Sequence, residues 1–303
     1  MIETVEHRSA TARRHRGRDN APLPRPLATE ATVEVRALCL GSRHFDLGTG
    51  DPREPFPLDA DLPVGTEVSG TIVATGSSDP DFQVGAEVFG TVAPGSTGRL
   101  ARISRPELKA PTVSWELAAS LPAAGSLAFL ALRHLAMTPG ETLLVHGAAE
   151  TIGAVATQLC VARGVTVIGT AAEGSLLFVT DLGAIAARSG DGLVARVRDL
   201  APNGIDAALD TTGRGNLPDS IELIGSADRV LTLADPSAVR YGAHLLTVED
   251  HEPSPEALPE LGHLASTGAL SVPVWASFAA TDAVQALAEL RCGNRDTRIV
   301  LVT

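Results

Sequence analysis

The sequence predicts an α/β protein: a doubly wound parallel sheet joined to a small β-barrel-like unit. Two observations carry this. The first is residues 142–170. Residues 142–145 form an apolar run of strand type, and 146–149 are a small-residue turn. Ile152, Val155, Ala156, Leu159 and Cys160 then fall on one helical face, and Gly164 ends that helix before the β-branched strand 165–168. Strand, glycine turn, helix and strand within about 30 residues make the βαβ unit of a Rossmann-type, dinucleotide-binding fold. The second is the N-terminal third, where short strands alternate with Gly-, Pro- and Asp-rich breaks, the pattern of a small barrel.

Residues 1–30 are polar, Arg-rich and then Pro-rich. APLPRPL reads as extended or polyproline-like chain, and the cluster around Arg14 as a loose surface arm, with a transit-peptide mimic or a lid over the cleft as alternatives. Residues 32–40 (TVEVRALCL), 67–74 (EVSGTIVA) and 85–92 (GAEVFGTV) read as strands, and 41–61 as a loop. Arg99 and Arg102 read as solvated charge. Helical patterning covers 115–121 and 125–135. After the βαβ unit come a helix at 174–182, a strand at 184–187, a helix at 192–200 and a strand at 206–210 ending in Thr211-Thr212-Gly213. A helix near 218–224 and a strand at 229–233 follow, with an edge strand at 244–248, a helix at 281–290 and a last strand at 298–302. Alternation of this kind implies a parallel sheet covered on both faces.

Composition excludes several classes. The 303 residues allow two domains, and 44% hydrophobic residues support a core. A net charge of −12 argues against nucleic acid or an anionic membrane as partner. No apolar run of spanning length and no secretory h-region is read from the letters. Three cysteines, widely spaced, suggest neither disulfides nor a zinc knuckle. A cytoplasmic protein with reduced thiols is the expectation. Lys109 is the sole lysine and Tyr241 the sole tyrosine, which rules out a Tyr-x-x-x-Lys dyad and a Walker A loop.

Six segments in order, LPVGTEVSGTIVATG, FQVGAEVFG, ELAASLPAAGSLAFLAL, GETLLVHGAA, IDAALDTTG and RIVLVT, resemble motifs of the zinc-independent quinone and enoyl reductases of the medium-chain dehydrogenase/reductase superfamily. The resemblance runs from about Pro24 to Thr303 and implies a GroES-like catalytic domain from residues 1–113 and 267–303, with a Rossmann domain, 114–266, inserted. It further implies NADPH in the cleft, a homodimer, and a small-molecule substrate such as an enone, a quinone or a polyketide-like intermediate. The cofactor-binding residues it points to lie in three groups: Gly147, Ala148, Ala149, Thr151, Ile152 and Gly153; then Thr170, Ala171 and Ser175; then Thr212 and Gly213. Arg43, His44 and Asp46 lie on the loop where the family places substrate-facing residues. His44 is the candidate proton donor, since imidazole suits transfer near neutral pH; an ordinary surface loop is the alternative.

The departures from the family pattern are specific. The zinc-ligand positions hold Gly41 and Thr66, so no zinc is expected. The asparagine and threonine that zinc-free members place near the nicotinamide fall at Gly41 and Leu127. The HGAAGGVG-like turn reads HGAAETIG, with Glu150 where glycine lets backbone approach the pyrophosphate. Two unit charges about 5 Å apart at an effective dielectric near 20 repel by roughly 3 kcal/mol. Glu150 is therefore read either as a new catalytic acid or as a solvent-facing residue favoured by a helix dipole. Gly147 and Gly153 serve either cofactor contact or tight strand–helix packing. His146 reads as a packed imidazole and Glu67 as structural. After the second strand of the βαβ unit, Glu173 stands where it could reach a ribose hydroxyl, and no arginine meets a 2′-phosphate unless Arg188 folds back. Three functions stay open: an NADPH-dependent reductase, a cofactor-independent descendant running a cyclisation, dehydration or isomerisation in the same cleft, and a non-catalytic scaffold.

Overall fold

The computed structural model describes residues 25–41, 67–92, 99–246, 254–292 and 298–303. The chain opens with β1 (Glu30–Gly41), β2 (Glu67–Thr75), β3 (Glu87–Val92) and β4 (Leu100–Leu108). The alternation expected of β1 is real: Ala31, Val33 and Val35 point into one core with Val68, Ile72, Val88, Ala101 and Ile103. Beyond a register shift between Val35 and Ala37, the strand turns Ala37 and Cys39 against Ala119 and Val300 instead. β4 was not expected. Its arginine-rich sequence hides a strand whose charges are met by ion pairing near β1, Arg102 with Glu30 and Arg99 with Glu34.

The expected helical region is one helix, α1 (Trp115–His134). The Ser114 side chain caps it by accepting from the Leu117 amide, and Pro122 lies inside without ending it. By length and composition α1 could cross a membrane, which corrects the reading that no such run exists. Most of that stretch is buried inside the fold (67%), as in the core helix of a folded domain. α1 packs on β1, β2, β3 and, further along the chain, on elements of the second half.

The second half runs β5 (Thr142–His146), α2 (Thr151–Ala162), β6 (Thr166–Ala171), α3 (Leu176–Asp181), β7 (Ile185–Arg188), α4 (Leu193–Leu200), β8 (Ala207–Asp210), α5 (Leu217–Ile224), β9 (Val230–Thr232), α6 (Ala238–Tyr241) and β10 (His244–Leu245). The six strands are parallel in the order β10-β9-β8-β5-β6-β7. Period-2 alternation splits β5 between two cores. Leu143 and Val145 meet α1 and α2, while Leu144 meets α4, α5 and α6 through Leu193, Val197, Leu217 and Ala238. Sheet order reverses between β5 and β8, so the crevice beyond their carboxyl ends is the topological switch point where ligands bind in such sheets.

The chain closes with α7 (Ala257–Ser266), β11 (Ala276–Ala279), α8 (Ala283–Cys292) and β12 (Arg298–Val302). β12 pairs antiparallel with β1 and parallel with β11, giving the first sheet the order β11-β12-β1-β2-β3-β4, with β1 also paired to β4. α7 was not read from the sequence, whose span 249–271 carries Pro253, Pro255 and Pro259. Pro259 falls in the helix's first turn, where an amide has no intrahelical acceptor to lose. Of the expected edge strand 244–248, residues 244–245 are strand and 247–248 lie outside the described residues.

The first sheet is tied to α1 by a buried ion pair. Arg298 Nη1 of β12 donates to both Glu67 oxygens of β2 at 3.2 and 3.0 Å, and to the Ser120 carbonyl of α1 at 3.1 Å. Glu67 is 1% exposed, in keeping with a structural part. The Cys39 thiol beside it is pushed up to about 12, by burial first and then by the Glu67 charge, and is a packed, unreactive group.

Candidate active site

The site is built at the ends of β5, β6 and β8. Asp210, the last residue of β8, is fully buried and gathers five donors: Thr212 N at 3.1 Å, Thr212 Oγ1 at 2.8 Å, Gly213 N at 3.2 Å, Asn216 Nδ2 at 3.2 Å and Thr232 Oγ1 at 2.9 Å. A carboxylate buried without such partners would be costly; with them it fixes the turn between β8 and α5. Thr211 fastens that turn to β5, its amide and hydroxyl both donating to the His146 carbonyl.

His146 lies beneath the crevice. The Ser220 hydroxyl donates to the Asn216 carbonyl, so His146 Nε2 carries the proton and donates to Ser220 at 2.9 Å, and Nδ1 accepts from Thr170 Oγ1 at 3.3 Å. Burial pushes its pKa down to about 4, against the opposing pull of Asp210. It is a neutral, packed imidazole at pH 7.

The glycine turn separates what the fold needs from what a ligand needs. The amides of Gly147 and Ala148 both donate to the Thr170 carbonyl, at 3.2 and 3.1 Å. A Cβ on Gly153 would stand 2.1 Å from the Gly147 carbonyl oxygen, so glycine there is demanded by the backbone alone. Gly147 has φ +81°, and its missing Cβ faces Thr211 Oγ1 and Thr212 Cγ2, each 2.6 Å away, in the gap between β5 and β8. Thr151, Ile152 and Gly153 make the buried first turn of α2; Ala149 is half-buried beside them.

Glu150 occupies the N-cap position of α2 with extended backbone, yet its side chain makes no capping bond. Its carboxylate lies over the turn, 3.1 Å from the Cβ position of Gly147, and pairs with Arg214 at 3.0 Å. The expected solvent-facing carboxylate is therefore corrected: the Glu150 side chain is 16% exposed and Arg214 70% exposed. Arg214 was not singled out from the sequence. Only the adjacency of β5 and β8 brings their following turns together.

At the far end of β6, Arg188 does reach back. It lies in register with Ala171, and its Nε stands 3.8 Å from Glu173 Oε2. Arg196 holds the loop after β7 by donating to the carbonyls of Arg188, Gly190 and Asp191. Ala171 is buried at the strand end and Ser175 half-buried after it; Thr170 turns its hydroxyl into the core rather than the groove. From Arg188 and Ser175, past the first turn of α2, to Thr212 and Gly213, these residues follow the carboxyl ends of β7, β6, β5 and β8. Arg43, His44 and Asp46 lie outside the described residues. Among the described residues no three His, Cys, Asp or Glu side chains gather as a metal site.

Two features here would suit a nicotinamide dinucleotide. The Glu150 side chain does not cap the first turn of α2, and the Arg188 guanidinium stands beside Glu173 just after β6. The conflict is the Glu150 carboxylate, which must turn aside.

No protein-family model matches the chain. It is 29% identical over 292 residues to the pikromycin polyketide synthase component PikAII of Streptomyces venezuelae, covering 88% of this chain and 8% of that protein. The chain thus spans less than a tenth of the synthase it matches. Among solved structures it is similar to the CurK enoyl reductase, with a TM-score of 0.75 and 22% identity over 93% of each chain. It is likewise similar to Escherichia coli quinone oxidoreductase complexed with NADPH, with a TM-score of 0.74 and 21% identity over 93% of this chain and 94% of that one. The chain shares the fold of these structures, a Rossmann-type sheet joined to a GroES-like barrel. Its structural neighbours include quinone oxidoreductases and enoyl reductases.

Proposed function

We propose that this protein is an NADPH-dependent reductase of an activated double bond, in an enone, a quinone or a polyketide-like intermediate. The observation that carries the reading is the switch-point groove, with the uncapping Glu150 at one point and Arg188 beside Glu173 at its ribose end. When bound, the dinucleotide would supply the hydride and a proton from the site or from water would complete the reduction. The chain's own work is to orient and to exclude water. The first turn of α2 receives the pyrophosphate, Arg188 the 2′-phosphate, and the Asp210-held turn with Thr212 and Gly213 borders the nicotinamide end. His146 is sealed and neutral and donates no proton to substrate. His44 or water fills that part. NADPH preference over NADH follows from Arg188 and from Glu173, whose carboxylate is engaged by that arginine. A homodimer through the β10 edge and a cytoplasmic setting complete the proposal.

The Glu150–Arg214 pair favours a second reading, in which the cleft has given up its nucleotide for a redox-neutral step. Incubation with NADPH deuterated at C4, across enones, quinones and α,β-unsaturated thioesters, separates the two. Deuterium at the product β-carbon supports the reductase. Conversion of an acceptor with no nucleotide present, and none bound, supports the second reading and refutes the first.

A further inference from the structure

We propose that Glu150 and Arg214 form an exchange pair in the dinucleotide groove, in which the pyrophosphate replaces the Glu150 carboxylate on the Arg214 guanidinium. The inference rests on the NADPH reading above and assigns to that groove two residues that set its affinity.

Position makes the argument. Glu150 ends the turn after β5 and Arg214 lies in the turn after β8, so the 3.0 Å pair bridges the two strands between which sheet order reverses. The carboxylate packs against the Cβ position of Gly147, which Thr211 and Thr212 also hem in. That turn leads into the start of α2, where a bridging pyrophosphate passes in such folds. The carboxylate is therefore an anion already standing where the cofactor's anion goes, with a cation already matched to it.

The two partners differ in how they are held. The backbone of Arg214 is fixed, its amide donating to Thr212 Oγ1 within the network that Asp210 gathers. Its guanidinium is 70% exposed, so the head can turn on a rigid base without disturbing the core. The Glu150 side chain, at the N-cap position of α2, pairs with Arg214 across the turns and does not cap the helix. An ion pair with one well-exposed member opens at small cost. A pyrophosphate offers the guanidinium more charge than a single carboxylate. The same exchange explains how a chain with glutamate at the glycine position keeps a usable groove: Arg214 offsets the charge in the free protein and moves to the phosphate in the complex.

The test is a calorimetric titration with two probes, NADPH and adenosine 2′-monophosphate, which lacks the pyrophosphate. Glu150→Gln keeps the side chain's shape and removes its charge. It is expected to tighten NADPH about tenfold and to leave adenosine 2′-monophosphate within twofold. Arg214→Gln, at an exposed position, is expected to weaken NADPH about tenfold, both alone and in the Glu150→Gln background, and again to spare the monophosphate. NADPH binding that is equal in wild type and Glu150→Gln overturns the exchange pair and leaves the reductase reading intact. An Arg214→Gln variant that binds NADPH as wild type does the same. Absence of NADPH binding in wild type, Glu150→Gln and Glu150→Gly alike overturns both.

Discussion

Gly153→Ala tests whether the glycine turn is an instruction for the fold or for the ligand. The new Cβ would stand 2.1 Å from the Gly147 carbonyl oxygen, 2.8 Å from its carbon and 3.1 Å from the Ala148 Cα. All three are backbone atoms, so no side chain can swing away. Relief requires α2 to move off β5 by roughly 1 Å, along a face where Val155, Ala156 and Leu159 are closely packed. Overpacking of this kind costs about 3 kcal/mol, at the upper end of the usual range. With a urea slope near 3 kcal/mol/M for a chain of this size, the midpoint should fall by about 1 M. The assay is urea denaturation without nucleotide, so that no ligand effect enters. Gly174→Ala is the control, since its Cβ meets nothing within 4 Å, and it should stay within about 0.5 kcal/mol of wild type. A Gly153→Ala protein as stable as the control would refute the packing argument and return Gly153 to the cofactor.

Four further outcomes are expected. His146 has a folded pKa of about 4, below the ordinary 6.5, so its contribution to stability is complete above pH 6.5 and is lost as pH falls toward 4. The loss approaches roughly 3 kcal/mol; thermal melts across that window should show a shallower slope in His146→Asn, and parallel curves would refute the assignment. Glu141, which hydrogen bonding from Arg229 holds at about 2, acts in a lower window, its contribution present above pH 4.5 and lost as pH falls toward 2. Glu67→Ala should destabilise by about 3–5 kcal/mol, because it strands a buried guanidinium, and chemical denaturation would measure it. Arg188→Ala should cut the ratio of NADPH to NADH affinity about tenfold without weakening NADH, read from equilibrium binding; an unchanged ratio would remove Arg188 from the ribose end.

Much of this architecture was legible because burial writes periodicity into letters. The βαβ unit, the strands of the parallel sheet and the closing strand all carry it. The failures have physical causes too. β4 is masked by arginines whose partners Glu30 and Glu34 lie about 70 residues earlier in the chain, and α7 by prolines that its first turn tolerates. In the site, the glycine positions were readable but not their meaning. The clash that requires Gly153 is with the backbone of its own turn, a contact no fingerprint distinguishes from one with phosphate. The organising role of Asp210 and the reach of Arg214 depend on which strand lies next to β5, and that is set by topology rather than by local pattern.

The proposed nicotinamide dinucleotide site lies at the switch point between β5 and β8. Hydrogen exchange of the wild-type protein, with and without saturating NADPH, should slow in two places: the turn and first helical residues 147–153, and the strand-end loop 188–192. Exchange at both that is indifferent to NADPH would rule the site out.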